Sequence, residues 1–245
     1  MIGIFDSGIG GVTVLKEIIK LLPNYHYFYY SDSKNNPYGD KNLDQIYSIV
    51  YDVVVSLMEQ GCTIIVIACN TASAICVNKL RDEFPNFPFV AIEPAYKMLY
   101  NAGVTTKTLV MATRGTIESE RFQALYKQYD NGHTILYPCI GLASLIELGN
   151  MEEVSKYLKQ HFQYYQNVKN VVLGCTHYPL IKDLIKDVLG DVTFYDGSYG
   201  VALELERKIK KHCIKNKTSL IDFYDSSNDV FKEKRFWNFL EKGKI

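Results

Sequence analysis

Short apolar runs alternate along the chain with longer stretches in which apolar residues recur every three or four positions. The short runs are rich in β-branched and aromatic residues and predict strands: IGIF, HYFYYS, TIIVIAC, FVAIE, KTLVMAT, TILYP, NVVLGC and VTFYD. The longer stretches predict helices, among them VTVLKEIIKLL, LDQIYSIVYDVVVSLMEQG, ASAICVNKLRDEF and EVSKYLKQHFQYYQ. Because strands alternate with helices, we expect an α/β fold with mainly parallel sheets flanked by helices.

The chain also repeats itself weakly. TIIVIACNTASAICVNKL and NVVLGCTHYPLIKDLI share one design, a strand followed by Cys, a polar turn with a hydroxyl group, and a helix. Cys175 lies 106 positions after Cys69, and Thr113 lies 107 positions after Asp6, which ends a similar strand. Because the two offsets are nearly the same, they predict two pseudo-symmetric lobes. One is formed by residues 1–93 with the tail 208–245, and the other by residues 94–207.

Composition narrows the classes of partner. The 245 residues are 47% hydrophobic and 22% charged, as in an ordinary globular protein. Lys and Arg balance Asp and Glu at 27 each, so we expect neither nucleic-acid nor membrane partners. The basic run RKIKKHCIKNK has acidic neighbours on both sides and is interpreted as a solvated helix face. The apolar runs are too short to span a bilayer, and MIGIFD lacks the features of a signal peptide, so a cytoplasmic location is expected.

The six cysteines, at positions 62, 69, 76, 139, 175 and 213, include no C-x-x-C pair. In a chain expected to be cytoplasmic, they are not interpreted as a disulfide framework. Each is therefore either a small buried apolar residue or a reactive thiol. Cys62 and Cys76 are assigned to the core.

Chemically capable residues follow several predicted strands. Asp6, Cys69, Thr113 and Cys175 all stand at carboxyl ends, where parallel α/β sheets bind ligands. The positive end of the following helix is expected to lower the pKa of each cysteine. If the lobes face each other, one thiolate could remove a proton from a carbon while the other thiol donates one to the opposite face. That pair would invert a stereocentre without a cofactor, provided that hydrogen bonds stabilise the carbanion-like state.

The opening stretch GIFDSGIGG has the form of a strand, a glycine-rich turn and a helix start, as in phosphate-binding loops. A G-x-G-x-x-G fingerprint from Gly8 would need glycine at position 13, where Thr13 stands. The turn is therefore interpreted as a site for a carboxylate-sized anion. Asp6 is expected near a ligand ammonium group and the Cys69 thiol.

Four motifs in order, FDSGIGG, PYGDK, ACNTAS and GCTHYPL, resemble those of the glutamate racemases within the cofactor-independent aspartate/glutamate racemase superfamily. The resemblance covers nearly the whole chain. It implies two pseudo-symmetric α/β lobes with the active site in the cleft between them, interconversion of L- and D-glutamate, and no metal or cofactor. It further implies a supply of D-glutamate for bacterial peptidoglycan, and it leaves a homodimer open.

The resemblance also assigns residues by position. Cys69 and Cys175 would be the acid/base pair, Asp6 would assist Cys69, and His177 and Glu147 would assist Cys175. The segment CIGLASLIE, which ends at Glu147, keeps the family's length but lacks its prolines. The substrate would contact Asp6, Ser7, Tyr38, Gly39, Asn70, Thr71, Thr116, Thr176 and His177.

Other functions remain open from the sequence alone. An aspartate racemase would share the mechanism. A cysteine hydrolase would use Cys175 with His177 and would have no use for Cys69. A non-catalytic protein could clamp an acidic amino acid between two lobes. A zinc site at Cys175 and His177 is not expected, because Cys-x-His spacing is not typical of structural zinc sites.

Overall fold

The computed structural model describes residues 1–212 and 219–242, so the predicted basic run is described only to His212 and Cys213 lies outside the described residues. Two sheets form the framework. The strands are β1 (Ile2–Asp6), β2 (His26–Ser31), β3 (Ile64–Ile67), β4 (Phe89–Ala91), β5 (Thr108–Ala112), β6 (Thr134–Pro138), β7 (Asn170–Gly174), β8 (Thr193–Tyr195) and β9 (Leu220–Asp225).

Helices cover both sheets. They are α1 (Val12–Leu21), α2 (Leu43–Glu59), α3 (Asn70–Glu83), α4 (Tyr96–Asn101), α5 (Arg114–Glu118), α6 (Glu120–Tyr129), α7 (Leu142–Leu148), α8 (Met151–Phe162), α9 (Lys182–Leu189), α10 (Ser198–Lys211) and α11 (Val230–Lys242). The long helix α2 starts at a capping box, in which Asn42 and Gln45 each bond the other's backbone N–H.

Both sheets are parallel and share one strand order. The first runs β4-β3-β1-β2-β9 and the second runs β6-β5-β7-β8. Placing β5 on β1 and β7 on β3 makes the order β8-β7-β5-β6 equal to β4-β3-β1-β2. The predicted α/β fold of two pseudo-symmetric lobes is therefore confirmed.

The central strands are buried on both faces. Every residue of β1, β3, β5 and β7 is buried, because helices pack on each side of these strands. All eight strands predicted from the sequence form. The edge strand β9 was not predicted, since it is only half buried and its sequence LIDFYD mixes acids with apolar residues.

The C-terminal part of the chain packs on the first lobe. Strand β9 pairs with β2, and Phe236 of α11 lies in the same core as Tyr29. Helix α10 also contributes Val201 and Leu205 to this core, beside Ile18 of α1. The predicted boundary at 207/208 falls inside α10, whose buried apolar residues lie in the core shared with α1.

Among the described residues, no helix combines the length and the apolar character that crossing a bilayer would need.

Candidate active site

One narrow cleft lies between the lobes at the carboxyl ends of the strands. Loops after β1, β3, β5, β6 and β7 all contribute to it, as expected for parallel sheets. Its lining consists of Ser7, Asn36, Pro37, Tyr38, Gly39, Cys69, Asn70, Thr71, Thr113, Arg114, Cys139, Ile140, Gly141, Ala143, Ser144, Cys175, Thr176 and His177.

Cys69 stands two residues after β3 and immediately before α3, and its side chain is buried. Its sulfur lies 3.4 Å from Ser7 Oγ, which it contacts as a thiol donor. Burial, reinforced by the negative charge of Asp6, raises the pKa of Cys69 to about 12. The expectation of a lowered pKa was wrong for this residue, because desolvation outweighs the positive end of the helix.

Cys175 begins a chain of three side chains. Its sulfur lies 3.7 Å from His177 Nδ1, and His177 Nε2 lies 2.5 Å from Glu147 Oε2. Burial disfavours a charged ring, but the hydrogen bonds to Cys175 and Glu147 raise the pKa of His177 well above its ordinary value. The raised pKa favours an imidazolium, whose Nδ1 faces the Cys175 sulfur.

The carboxylate of Glu147 is held from several sides. It accepts the backbone N–H of Ile9 at 3.1 Å and the hydroxyl of Ser33 at 3.3 Å, both from the first lobe. Lys232 Nζ lies 3.7 Å from Oε1. Burial would raise the pKa of Glu147, but His177 and Lys232 hold it below the ordinary value. Glu147 is therefore an anchored anion whose partners come from both lobes.

The glycine-rich turn packs directly against this chain. A Cβ on Gly10 would stand 2.5 Å from His177 Nδ1, and a Cβ on Gly8 would stand 2.5 Å from Glu147 Oε2. Real side chains do not approach so closely, so only glycine leaves room for both groups. The turn resembling a phosphate loop thus serves as the surface on which the His177–Glu147 pair rests.

Asp6 lies behind the cleft wall. It is fully buried, and its carboxylate accepts the N–H of Gly8 at 3.2 Å and the hydroxyl of Thr176 at 3.1 Å. Burial raises the pKa of Asp6 to about 6, and the nearby charges of His177 and Glu147 act in opposite directions. Asp6 can therefore exchange a proton near neutral pH.

Hydroxyl and amide groups line the middle of the cleft. Thr71 Oγ1 lies 2.9 Å from Thr113 Oγ1, which in turn lies 2.9 Å from Thr116 Oγ1. Asn70 is 3% exposed, and neither atom of its amide has a hydrogen-bond partner among the described residues. A buried amide left unpaired is costly, so Asn70 has the features of a ligand-binding group.

The loop after β2 closes one side of the cleft. The Tyr38 hydroxyl donates to Asp32 Oδ2 at 2.6 Å, which fixes the ring in the wall. Gly39 packs against the Thr113 side chain of the other lobe, where an added Cβ would meet it at 3.1 Å. The PYGD motif therefore joins the two lobes beside the cleft.

Most residues predicted for the site line this cleft, and three lie behind it. Asp6, Thr116 and Glu147 are buried one layer back, where they contact lining residues. Sequence reasoning missed several lining positions. The same strand-end rule would have found Arg114 after β5 and Cys139 after β6. Pro37 lies in the PYGDK motif, and four further lining residues lie in the segment CIGLASLIE: Ile140, Gly141, Ala143 and Ser144. The sequence offers no separate signal for Asn36.

Within residues 1–212 and 219–242, no group of three or more His, Cys, Asp or Glu side chains is placed to hold a metal ion.

Comparisons with known proteins agree with this geometry. A sequence model described as Asp/Glu/Hydantoin racemase matches residues 2–199. The chain belongs to the Asp/Glu/Hydantoin racemase family. A glutamate racemase of Clostridium perfringens (strain SM101 / Type A) is 38% identical over 237 residues, covering 93% of this chain and 91% of the relative. One of Clostridium acetobutylicum is 40% identical over 220 residues, covering 88% and 86%.

Solved structures of this family superpose on nearly the whole chain. The glutamate racemase of Francisella tularensis in complex with D-glutamate has a TM-score of 0.84 at 29% identity, covering 100% of this chain and 94% of that one. The Escherichia coli enzyme in complex with L-glutamate and the activator UDP-MurNAc-ala has a TM-score of 0.85 at 26% identity, covering 100% and 95%. This chain is therefore an amino-acid racemase, and the resemblance seen in its motifs is confirmed.

Proposed function

We propose that the protein interconverts L- and D-glutamate by proton transfer between the substrate α-carbon and two thiols. The observation that carries this proposal is the pair Cys69 and Cys175, which line one cleft from equivalent strand ends of the two lobes. The relatives at 38% and 40% identity are glutamate racemases, which favours glutamate over aspartate as substrate.

The two thiols have different surroundings, as expected if Cys175 acts as the base and Cys69 as the acid in one direction of the reaction. The positively charged ring of His177 faces the Cys175 sulfur, while burial and the charge of Asp6 raise the pKa of Cys69. In one direction the Cys175 thiolate takes the proton from the α-carbon, and the Cys69 thiol gives its proton to the opposite face. The protein then holds one thiolate and one thiol with their roles exchanged, and the reverse reaction restores them.

The remaining groups would hold the substrate and its developing charge. The N-terminal N–H groups of α3, the Asn70 amide and the hydroxyls of Ser7, Thr71 and Thr176 can bind carboxylates. Thr116 supports Thr71 from behind, while Tyr38 and Gly39 complete the wall. Asp6 would exchange protons with its neighbours at neutral pH.

The hydrolase alternative has one observation in its favour, because Cys175, His177 and Glu147 form a chain like that of cysteine nucleophiles. Two features favour racemisation instead. Cys69 stands in the same cleft, and the family contains racemases.

The test is exchange of the α-proton. Purified protein incubated with either enantiomer of glutamate in deuterated water, without added cofactor, should incorporate deuterium at the α-carbon and lose optical activity. Cys69→Ser and Cys175→Ser should each abolish racemisation, and Cys62→Ser should not, because Cys62 lies outside the cleft. Persistent optical activity with wild-type protein would contradict the proposal.

We further infer that the product D-glutamate serves bacterial peptidoglycan synthesis. Expression of this chain in a bacterium that requires D-glutamate for growth should remove the requirement. The Cys69→Ser variant should leave it in place. Growth that still depends on added D-glutamate, with active protein in the cell, would contradict this role.

A further inference from the structure

The C-terminal helix of the first lobe reaches across to the second lobe at Glu147. Helix α11 is anchored in the first lobe by Phe236, which is fully buried and packs against Tyr29. From this base, Lys232 and Arg235 extend to α7, the helix that carries Glu147. The family match ends at residue 199, so this contact is made by a segment outside the matched region.

Arg235 binds the end of α7. Its guanidinium donates to the carbonyl oxygen of Ile146 at 2.7 Å and also to that of Glu147. The last carbonyls of a helix have no partner within the helix, so Arg235 caps α7 from the other lobe. Gly149 has φ 76°, and a Cβ there would meet the guanidinium at 3.1 Å, so the helix end fits closely against Arg235.

Lys232 contacts the carboxylate of Glu147. Its Nζ lies 3.7 Å from Glu147 Oε1, with 14% of the lysine side chain and 4% of the glutamate side chain exposed. The same carboxylate contacts His177 through Oε2. One oxygen thus faces Lys232 and the other faces the imidazole, so the lysine helps to orient the carboxylate toward the ring.

We propose that Lys232 and Arg235 are positioning residues, which hold Glu147 against His177 and so couple the seating of the C-terminal helix to proton transfer at Cys175. This inference rests on the proposed function. Arg235 fixes the backbone that carries Glu147, and Lys232 fixes the carboxylate. Neither residue lines the cleft, so both act through Glu147.

The groups around Glu147 determine the direction in which its pKa changes when Lys232 is replaced. Lys232 contributes to the lowered pKa of Glu147. Removing its positive charge should raise the pKa of Glu147 and that of His177, because both groups lose a nearby cation. Four other groups surround the carboxylate and stay in place: His177 from the second lobe, Asp6 and Tyr29 from the first sheet, and Arg235 from α11.

The test compares Lys232→Met with Lys232→Arg and with Lys234→Met, an exposed lysine of the same helix. In Lys232→Met, kcat should fall roughly 10-fold, the scale of one pKa unit, while KM stays unchanged. The acid limb of the pH profile should move to higher pH. Lys232→Arg should restore most of the activity, and Lys234→Met should match wild type.

A second readout does not depend on turnover. In protein with isotopically labelled histidine, the NMR titration midpoint of His177 should move upward in Lys232→Met and stay in place in Lys234→Met. An unchanged midpoint together with unchanged kcat would overturn the proposal, as would an equal loss of activity in Lys234→Met. If Lys232→Met fails to fold, Lys232→Gln takes its place with the same expectations. A shifted midpoint in a protein whose wild type shows no racemisation would instead contradict the proposed function.

Discussion

At the scale of single residues, the two cysteines that line the cleft have different surroundings. Cys69 has Ser7 as a neutral partner and Asp6 nearby, whereas Cys175 has a charged imidazole. The sequence places both thiols after equivalent strands, and that placement is correct. The strand-end pattern alone does not distinguish their surroundings, because Glu147 reaches His177 from 30 residues away, through the packing of α7. Only the family resemblance assigned Asp6 to Cys69, and His177 with Glu147 to Cys175.

Asp6 provides a prediction about pH and stability. Its folded pKa of about 6 exceeds the ordinary value of 3.8, so the folded protein favours the neutral carboxyl. The stability contributed by that neutral form is complete below pH 3.8 and is lost as pH rises through 6. The shift corresponds to a penalty of about 3 kcal/mol at neutral pH.

Asp6→Asn should therefore gain stability relative to wild type as pH rises, by up to about 3 kcal/mol above pH 6, while activity falls. An Asn amide can still accept from Gly8 and donate to Thr176, the two partners of the carboxylate. Urea unfolding at pH 5 and pH 7 measures the difference. Asp187→Asn, at an exposed acid, serves as the control and should show no such trend. Equal stability differences at both pH values would contradict the raised pKa of the buried Asp6.

At the scale of elements, the turn between β1 and α1 shows where sequence reasoning was limited. The stretch GIFDSGIGG was interpreted as a turn that holds a carboxylate-sized anion, and in the structure the N–H of Ile9 in this turn donates to the carboxylate of Glu147. The groups that pack on this turn could not be identified from the sequence, because the ring of His177 and the carboxylate of Glu147 come from the other lobe. The edge strand β9 was missed for a related reason, since its pairing with β2 depends on chain distant in sequence.

Gly10→Ala should disturb catalysis without unfolding the protein. The new methyl group would stand 2.5 Å from His177 Nδ1, the atom facing Cys175, so the ring must move. A displacement of about 1 Å costs roughly 100-fold in rate, and we expect a loss in kcat of that size. Steady-state kinetics in both directions would measure it.

Gly200→Ala is the matched control for this substitution. Gly200 lies in α10 with open space around its Cα, so alanine should leave kcat unchanged and stabilise the helix by about 0.5–1 kcal/mol. Wild-type kcat in Gly10→Ala would show that His177 does not need its observed position.

At the scale of the whole molecule, the cleft exists only where the two lobes meet. Its lining comes from both sheets, and Thr13 of α1 donates to the backbone carbonyl of Thr176 at 3.1 Å across the interface. A substrate bound in the cleft would touch both lobes at once. Binding should therefore stabilise the folded assembly as a unit.

We expect DL-glutamate to raise the melting temperature of the wild-type protein; the racemic mixture is used so that turnover leaves the ligand composition unchanged. At 100 times Kd, binding contributes about 2.7 kcal/mol, which corresponds to a shift of roughly 5–10 °C for a chain of this size. Asn70→Ala should lose most of that shift, because both atoms of the Asn70 amide are buried at the cleft without a hydrogen-bond partner in the described parts of the chain. Asn78→Ala, on the exposed face of the same helix, should keep it. An equal shift in both variants would mean that glutamate binds elsewhere, and the cleft would then lose its assignment as the substrate site.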